Sequence, residues 1–191
     1  MQEKTFVHMR ILKSNLFCGA QEVVTYSIAY PQFSAYTQKS YLKTLNEQYR
    51  QEEVPFFPYE MLRTVMPAQL SDGIISLYYD TYRFTGGAHG TTLRQADTWD
   101  ISKQAAIHLR DLFPCDSLAK DRIIEQVNAC IAKEAESYFP DYEALVRENF
   151  NARQFFLSPG CLHIFYQQYD IAPYSTGIPT FGLKMESLQK V

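Results

Sequence analysis

Apolar positions along this 191-residue chain change their period several times, and each change marks an element. Residues 6–13 and 21–30 alternate in the manner of strands, with Val24, Tyr26, Ile28 and Tyr30 on one face of the second. Turn-forming residues between Ser14 and Gly19 separate the two runs, and Pro31 is expected to end the second. From Ser34, which fits an N-cap, the period becomes helical: Tyr41, Leu42, Leu45 and Tyr49 recur three and four residues apart. Pro55 and Pro58 break that helix and form a stiff aromatic corner. Residues 59–70 read as extended with an interruption at Pro67, and Asp72-Gly73 signals a hairpin.

Two strand-like runs follow, 74–84 and 91–101, joined by Thr85-Gly86-Gly87-Ala88-His89-Gly90. Residues 107–114 form a transition that closes at Pro114. The clearest helix begins at Asp116 or Ser117, carries Leu118, Ile123, Ile124, Val127 and Ile131 on its apolar face, and is expected to reach Tyr138. Asp141 opens a short helix ending near Asn149. A hairpin of 155–157 and 162–169, a loop from Ile171 to Gly177, a strand at 179–183 and a turn at 185–188 complete the chain. The order β-β-α-β-β-β-α-α-β-β-β lacks the regular alternation of a parallel sheet. It predicts an α+β fold with a mainly antiparallel sheet, helices packed on one side and a single compact domain. Residues 1–70 form a strand-strand-helix lobe and 71–191 a C-terminal lobe, both within one folding unit.

Composition narrows the classes. With 46% hydrophobic and 20% charged residues the chain is globular rather than disordered. A net charge of −3 and the lack of a basic cluster argue against nucleic acid as a partner. Cys18, Cys115, Cys130 and Cys161 are scattered without a Cys-x-x-Cys pair, so free thiols are expected. His8, His89, His108 and His163 are equally dispersed, and neither a metal nor another cofactor is expected. No run approaches the ~20 apolar residues of a membrane span, and the first residues do not read as a signal peptide. The expected location is cytoplasmic if Met1 is the native start, or the cell surface or exterior if a leader or anchor was removed.

Candidate chemistry is sparse. The glycine loop matches neither Gly-x-Gly-x-x-Gly nor a P-loop, and it leads into a strand rather than a helix. Cys161 and His163 share a strand face, but Phe165 continues that face and points to packing. Asp80, Asp97 and Asp100 are candidates for paired carboxylates, a pattern that solvated strand ends also produce. No Gly-x-Ser-x-Gly elbow is present. A non-catalytic role is therefore expected. The alternative is a weak hydrolase with His89 as base and Asp97 or Asp170 orienting it.

Three motifs carry a family resemblance. They are residues 82–90, Tyr-Arg-Phe-Thr-Gly-Gly-Ala-His-Gly; residues 109–113, Leu-Arg-Asp-Leu-Phe; and the C-terminal stretch with Gly160-Cys161-Leu162-His163-Ile164-Phe165 and residues 169–179. In this order they resemble the RsiV-like domain family, found in a lysozyme-sensing anti-sigma factor and beside PdaC-type peptidoglycan deacetylases. The family usually has Glu at Asp170 and small residues at Ser175 and Thr176. The resemblance covers about residues 74 to 185. It implies an α+β binding domain whose ligand is a lysozyme-like protein or a cell-wall glycan. Exposed Tyr82, Phe84, His89 and Tyr174 are the binding candidates. Gly86, Gly87, Gly90, Asp111, Pro173 and Gly177 are expected to maintain the fold.

Overall fold

The computed structural model describes residues 6–18, 21–34, 39–50, 60–71, 73–114 and 116–189. The aromatic corner at Pro55 and Pro58, Asp72 of the hairpin signal and Cys115 lie outside them. The strands are β1 (Phe6–Cys18), β2 (Gln21–Ser34), β3 (Glu60–Gln69), β4 (Ile74–Phe84), β5 (Thr91–Asp100), β6 (Ala105–Ala106), β7 (Phe155–Ser158), β8 (Cys161–Phe165) and β9 (Thr180–Lys184). The helices are α1 (Lys39–Arg50), α2 (Ala119–Ile131), α3 (Tyr142–Glu148) and α4 (Met185–Leu188). Strands β1 to β6 form one sheet in chain order, and β7 to β9 form a second. Every pairing is antiparallel except β2 with β3, where Thr25–Ile28 run parallel to Glu60–Arg63. That exception has a cause: α1 intervenes between these two strands, and parallel neighbours need such a crossover. The α+β class and the antiparallel character expected from the pattern hold.

Local details differ. Pro31 does not end β2 but sits inside it opposite Met9. Pairing with β3 stops at Ile28, so beyond it only the β1 side of β2 is paired, and a residue without an N–H is tolerated there. Ser34 is consequently the last strand residue rather than a helix cap. Asn46 of α1 clips the strand: its Oδ1 accepts from the Phe33 N–H (2.6 Å) and its Nδ2 donates to the Phe33 carbonyl (2.9 Å). Helix α2 ends at Ile131, short of Tyr138, because residues 132–137 are all exposed and offer no apolar face to bury. A separate 3-10 turn, Ala135–Ser137, follows. Strand β8 stops at Phe165, and Tyr169 has a left-handed φ of 68°.

Two apolar cores result. One lies on the face of the first sheet that carries Val65, Ile75, Leu77 and Tyr79, covered by Leu42 and Leu45 of α1. Burial, with Asp97 nearby, pushes the Tyr79 phenol up to about 12. The larger core packs Ile123, Ile124, Val127 and Ile131 of α2 against Leu162, Ile164, Phe181 and Leu183 of the second sheet. Each such buried side chain contributes about 1.5–3 kcal/mol relative to exposure.

The second sheet approaches the opposite face of β4 and β5. The Leu157 N–H of β7 donates to Ser76 Oγ (2.8 Å), which also bonds Thr98 Oγ1 (2.8 Å), and the ring of Phe156 lies 4.6 Å from that of Tyr78. Arg94 locks this seam. Its guanidinium grips both Asp80 oxygens at 2.7 Å, reaches Thr180 Oγ1 on β9 at 2.8 Å and lies over the Tyr78 ring at 4.3 Å.

Candidate functional site

The β4–β5 hairpin ends in the glycine loop, where Gly86 and Gly87 adopt φ values of 96° and 106° that a side chain would strain. Gly90 is required for a different reason. A Cβ there would overlap the Tyr82 ring and stand 2.6 Å from the Arg83 carbonyl. The loop therefore folds back tightly on the end of β4 at Tyr82 and Arg83, and the Gly90 carbonyl becomes a shared acceptor. His89 Nδ1 donates to it at 3.1 Å and the Tyr174 hydroxyl at 3.1 Å. The carbonyl can only accept, so His89 carries its proton on Nδ1 in this arrangement.

These bonds stack the rings. His89 and Tyr174 lie 4.1 Å apart at 28°, and Tyr169 continues the row 5.8 Å from Tyr174. His89 is exposed, Tyr174 is half-buried, and Tyr169 is 54% exposed. Pro173 is exposed and opens the 3-10 turn Tyr174–Thr176, which Gly177 closes with a φ of 74°. The polar atoms that Tyr174 and His89 commit to Gly90 point inward, leaving ring surface and the exposed residues 85–89 facing solvent.

Of the four binding candidates, the structure brings His89 and Tyr174 into direct contact and joins Tyr82 to them through Gly90. Phe84 is half-buried two residues along the same face of β4, opposite Glu60. Asp111 lies elsewhere and closes the Leu109–Leu112 turn, its Oδ2 accepting from the His108 N–H at 2.8 Å. The pairing needed for a His89 base is not formed. His89 bonds no carboxylate among the described residues, Asp97 stands six strand residues beyond Thr91 (about 20 Å), and Asp170 Oδ2 accepts from the Gln167 N–H. Asp80 is held by Arg94, and Asp100 by Ser102 and Lys103.

His163 bonds Ser158 Oγ through Nε2 at 2.7 Å, with its ring stacked on Phe156 at 4.5 Å. Burial lowers its pKa. No carboxylate among the described residues orients it, and Phe156 covers one ring face, so the arrangement is packing. Cys130 and Cys161 are free thiols. No group of three metal-ligating side chains occurs among the described residues.

Sequence reasoning missed the segment that supports this corner. Gln167 and Gln168 seal the outer edge of β5: Gln168 Oε1 accepts from the Thr92 N–H (2.8 Å), while Gln167 Oε1 accepts from the Arg94 N–H (3.0 Å) and its Nε2 donates to the Arg94 carbonyl (2.8 Å). The turn then delivers Tyr169 to the ring row. The only local signal was two consecutive glutamines ahead of a tyrosine.

Comparison with known proteins agrees with this architecture. Residues 18–92 match the family described as Deacetylase PdaC, and residues 110–186 match a protein family of unknown function, DUF3298. The peptidoglycan-N-acetylmuramic acid deacetylase PdaC of Bacillus subtilis (strain 168) is 25% identical over 123 residues, 61% of this chain; the match takes in 26% of that relative's length. Crystal structures of a DUF3298 family protein from Pseudomonas aeruginosa PAO1 and of a DUF3298 member from Bacteroides fragilis share the fold. Their TM-scores are 0.64 and 0.61 at 17% and 14% identity, covering 95% and 96% of this chain and 92% of each of theirs. The chain is thus similar over separate segments to PdaC and to DUF3298 proteins, and it shares the fold of the latter.

Proposed function

We propose that this chain is a non-catalytic binding domain of the RsiV-like kind, and that the His89–Tyr174–Tyr169 ring row receives a cell-wall glycan. The observation that carries this is the row itself: the His89 and Tyr174 rings stacked at 4.1 Å with Nδ1 and the hydroxyl committed to the Gly90 carbonyl, and the exposed Tyr169 ring tilted beside them at 5.8 Å. Sugars bind such surfaces by stacking their C–H faces on aromatic rings, which offer a large apolar area beside a polar tip. The likeness to a peptidoglycan deacetylase favours a peptidoglycan fragment as ligand. A lysozyme-like protein, which the RsiV-like resemblance suggests, is the second reading. Either ligand puts the working location at the cell surface. The two lobes at 1–70 and 71–191 act as one unit in this reading, since β3 and β4 pair across their boundary.

Calorimetric titration with soluble peptidoglycan fragments, and separately with C-type lysozyme, tests the reading. Saturable heat that Tyr174→Ala abolishes, with the circular dichroism spectrum unchanged, is the expected outcome. Absence of heat with both ligands, or binding untouched by Tyr174→Ala, overturns it.

A further inference from the structure

The outer edge of β5 holds a second, independent feature. Backbone groups of a strand alternate between its two edges. On β5 the even-numbered residues face away from β4. Thr92 and Arg94 are sealed there by Gln168 and Gln167, and the Thr98 carbonyl accepts from the Ile107 N–H at 2.8 Å. Between them Ala96 turns its N–H and C=O outward, and neither meets a partner among the described residues. This single-residue gap opens into a groove of about 320 Å³ that Ala96 helps to line. That volume lies at the low end of the ~300–1,000 Å³ typical of small-molecule sites.

The groove holds two further uncommitted groups. Gln154 Oε1 is buried without a hydrogen-bond partner, and the Arg153 side chain is exposed on the same wall with none among the described residues. A buried acceptor without a donor costs about 1–3 kcal/mol, so a ligand that supplies one gains by it.

The chemistry that fits Ala96 is visible twice in this protein. The Asn46 carboxamide bonds both backbone groups of Phe33, and the Gln167 carboxamide bonds both of Arg94. In each case a primary amide presents C=O and N–H side by side to one extended residue. Only one residue is open at Ala96, too little edge for an added strand but enough for one such amide. We infer that the β5 groove binds a short peptide bearing a primary carboxamide beside a carboxylate, the amide on Ala96, the carboxylate on Arg153 and a peptide N–H on Gln154. This site does not depend on the ring row, so Tyr174→Ala should leave it intact.

The test is an NMR titration of the intact chain with N-acetyl-L-glutamine, with N-acetyl-L-glutamate and chitotetraose as parallel probes. The expected result is a saturable downfield shift of the Ala96 amide proton with the glutamine compound and at least tenfold weaker binding of the glutamate compound. Arg153→Ala should weaken it several-fold. Ala96→Pro removes only the outward N–H and no β4–β5 ladder bond, and it should abolish binding. Equal response to both amino acids, no response at Ala96, or a response to chitotetraose alone would overturn the assignment. If Ala96→Pro fails to fold, the wild-type titrations and Arg153→Ala still decide.

Discussion

The ring corner and the β5 groove are built on the same hairpin and treat their polar atoms in opposite ways. At the corner the Gly90 carbonyl collects His89 and Tyr174, and what remains outside is aromatic surface. In the groove the Ala96 backbone and Gln154 Oε1 stay open, and what remains outside is hydrogen-bonding capacity. A surface of the first sort recognises by stacking and tolerates variation in its ligand; one of the second sort selects a donor–acceptor pattern. The residues 167–170 supply both, since Gln167 borders the groove and Tyr169 extends the ring row.

The largest expected effect separates the support of the groove from that of the corner. Arg94→Met keeps the stem of the side chain but leaves Asp80, 26% exposed, without its paired guanidinium and removes the donor to Thr180 Oγ1, whose own bond to the Ile178 carbonyl remains. A loss of about 3 kcal/mol in urea denaturation is expected, with amide shifts concentrated near β5 and β9 rather than at residues 85–90. A loss below about 1 kcal/mol would mean that the seam is solvated and does not join the sheets. Gly90→Ala addresses the corner. Its Cβ meets the Arg83 backbone oxygen, which cannot rotate aside, so a cost of about 2 kcal/mol and loss of the Tyr174 bond are expected. Wild-type stability in that variant would show that the loop opens freely and that the rings are not pre-organised.

Much of this hairpin was legible beforehand because its signals are local. The β-branched and aromatic run at 74–84 and three glycines in five positions specify it over a short window, as the stripe from Ile123 to Ile131 does for α2. What was illegible depends on partners distant in the chain. The strand at Pro31 continues because β3 leaves it after Ile28, a fact of sheet topology rather than of Pro31. The Gln167 clamp spans 73 residues, and nothing in a glutamine announces that it will complete a strand edge. Tyr169 reads as a strand residue by propensity, yet the turn that Asp170 closes on the Gln167 N–H imposes its left-handed φ. Of the residues at the ring corner, His89 and Tyr174 were candidates on sequence alone and Tyr169 was not; of the groove's lining, Asp97 was named for another chemistry and the open Ala96 edge was not foreseen.

A smaller effect isolates one bond at the corner. Tyr174→Phe removes the hydroxyl that donates to Gly90 while keeping the ring. His89 still satisfies that carbonyl, so the loss should be about 1 kcal/mol. Glycan affinity should then fall only slightly, in contrast to its abolition in Tyr174→Ala. Equal losses of affinity in both variants would assign recognition to the hydroxyl and not to the ring face.

The smallest effect concerns Asp170, the residue that ties the two regions together. Burial raises its pKa, and the Gln167 N–H bond only partly offsets this. A carboxyl raised in the folded state binds its proton more tightly there than in the unfolded chain. Its contribution to stability is therefore complete below its ordinary value and lost as the pH rises through the raised one. At neutral pH the ionised Asp170 is a small burden. Asp170→Asn, whose amide oxygen can still accept from Gln167, should stabilise the protein at pH 7 by about 0.5 kcal/mol or less, since water reaches the carboxylate. That advantage should shrink as the pH is lowered towards 4, measured by urea midpoints at matched ionic strength. Destabilisation at pH 7 would mean that the negative charge itself holds the turn, so that the ring row and the clamp both depend on it.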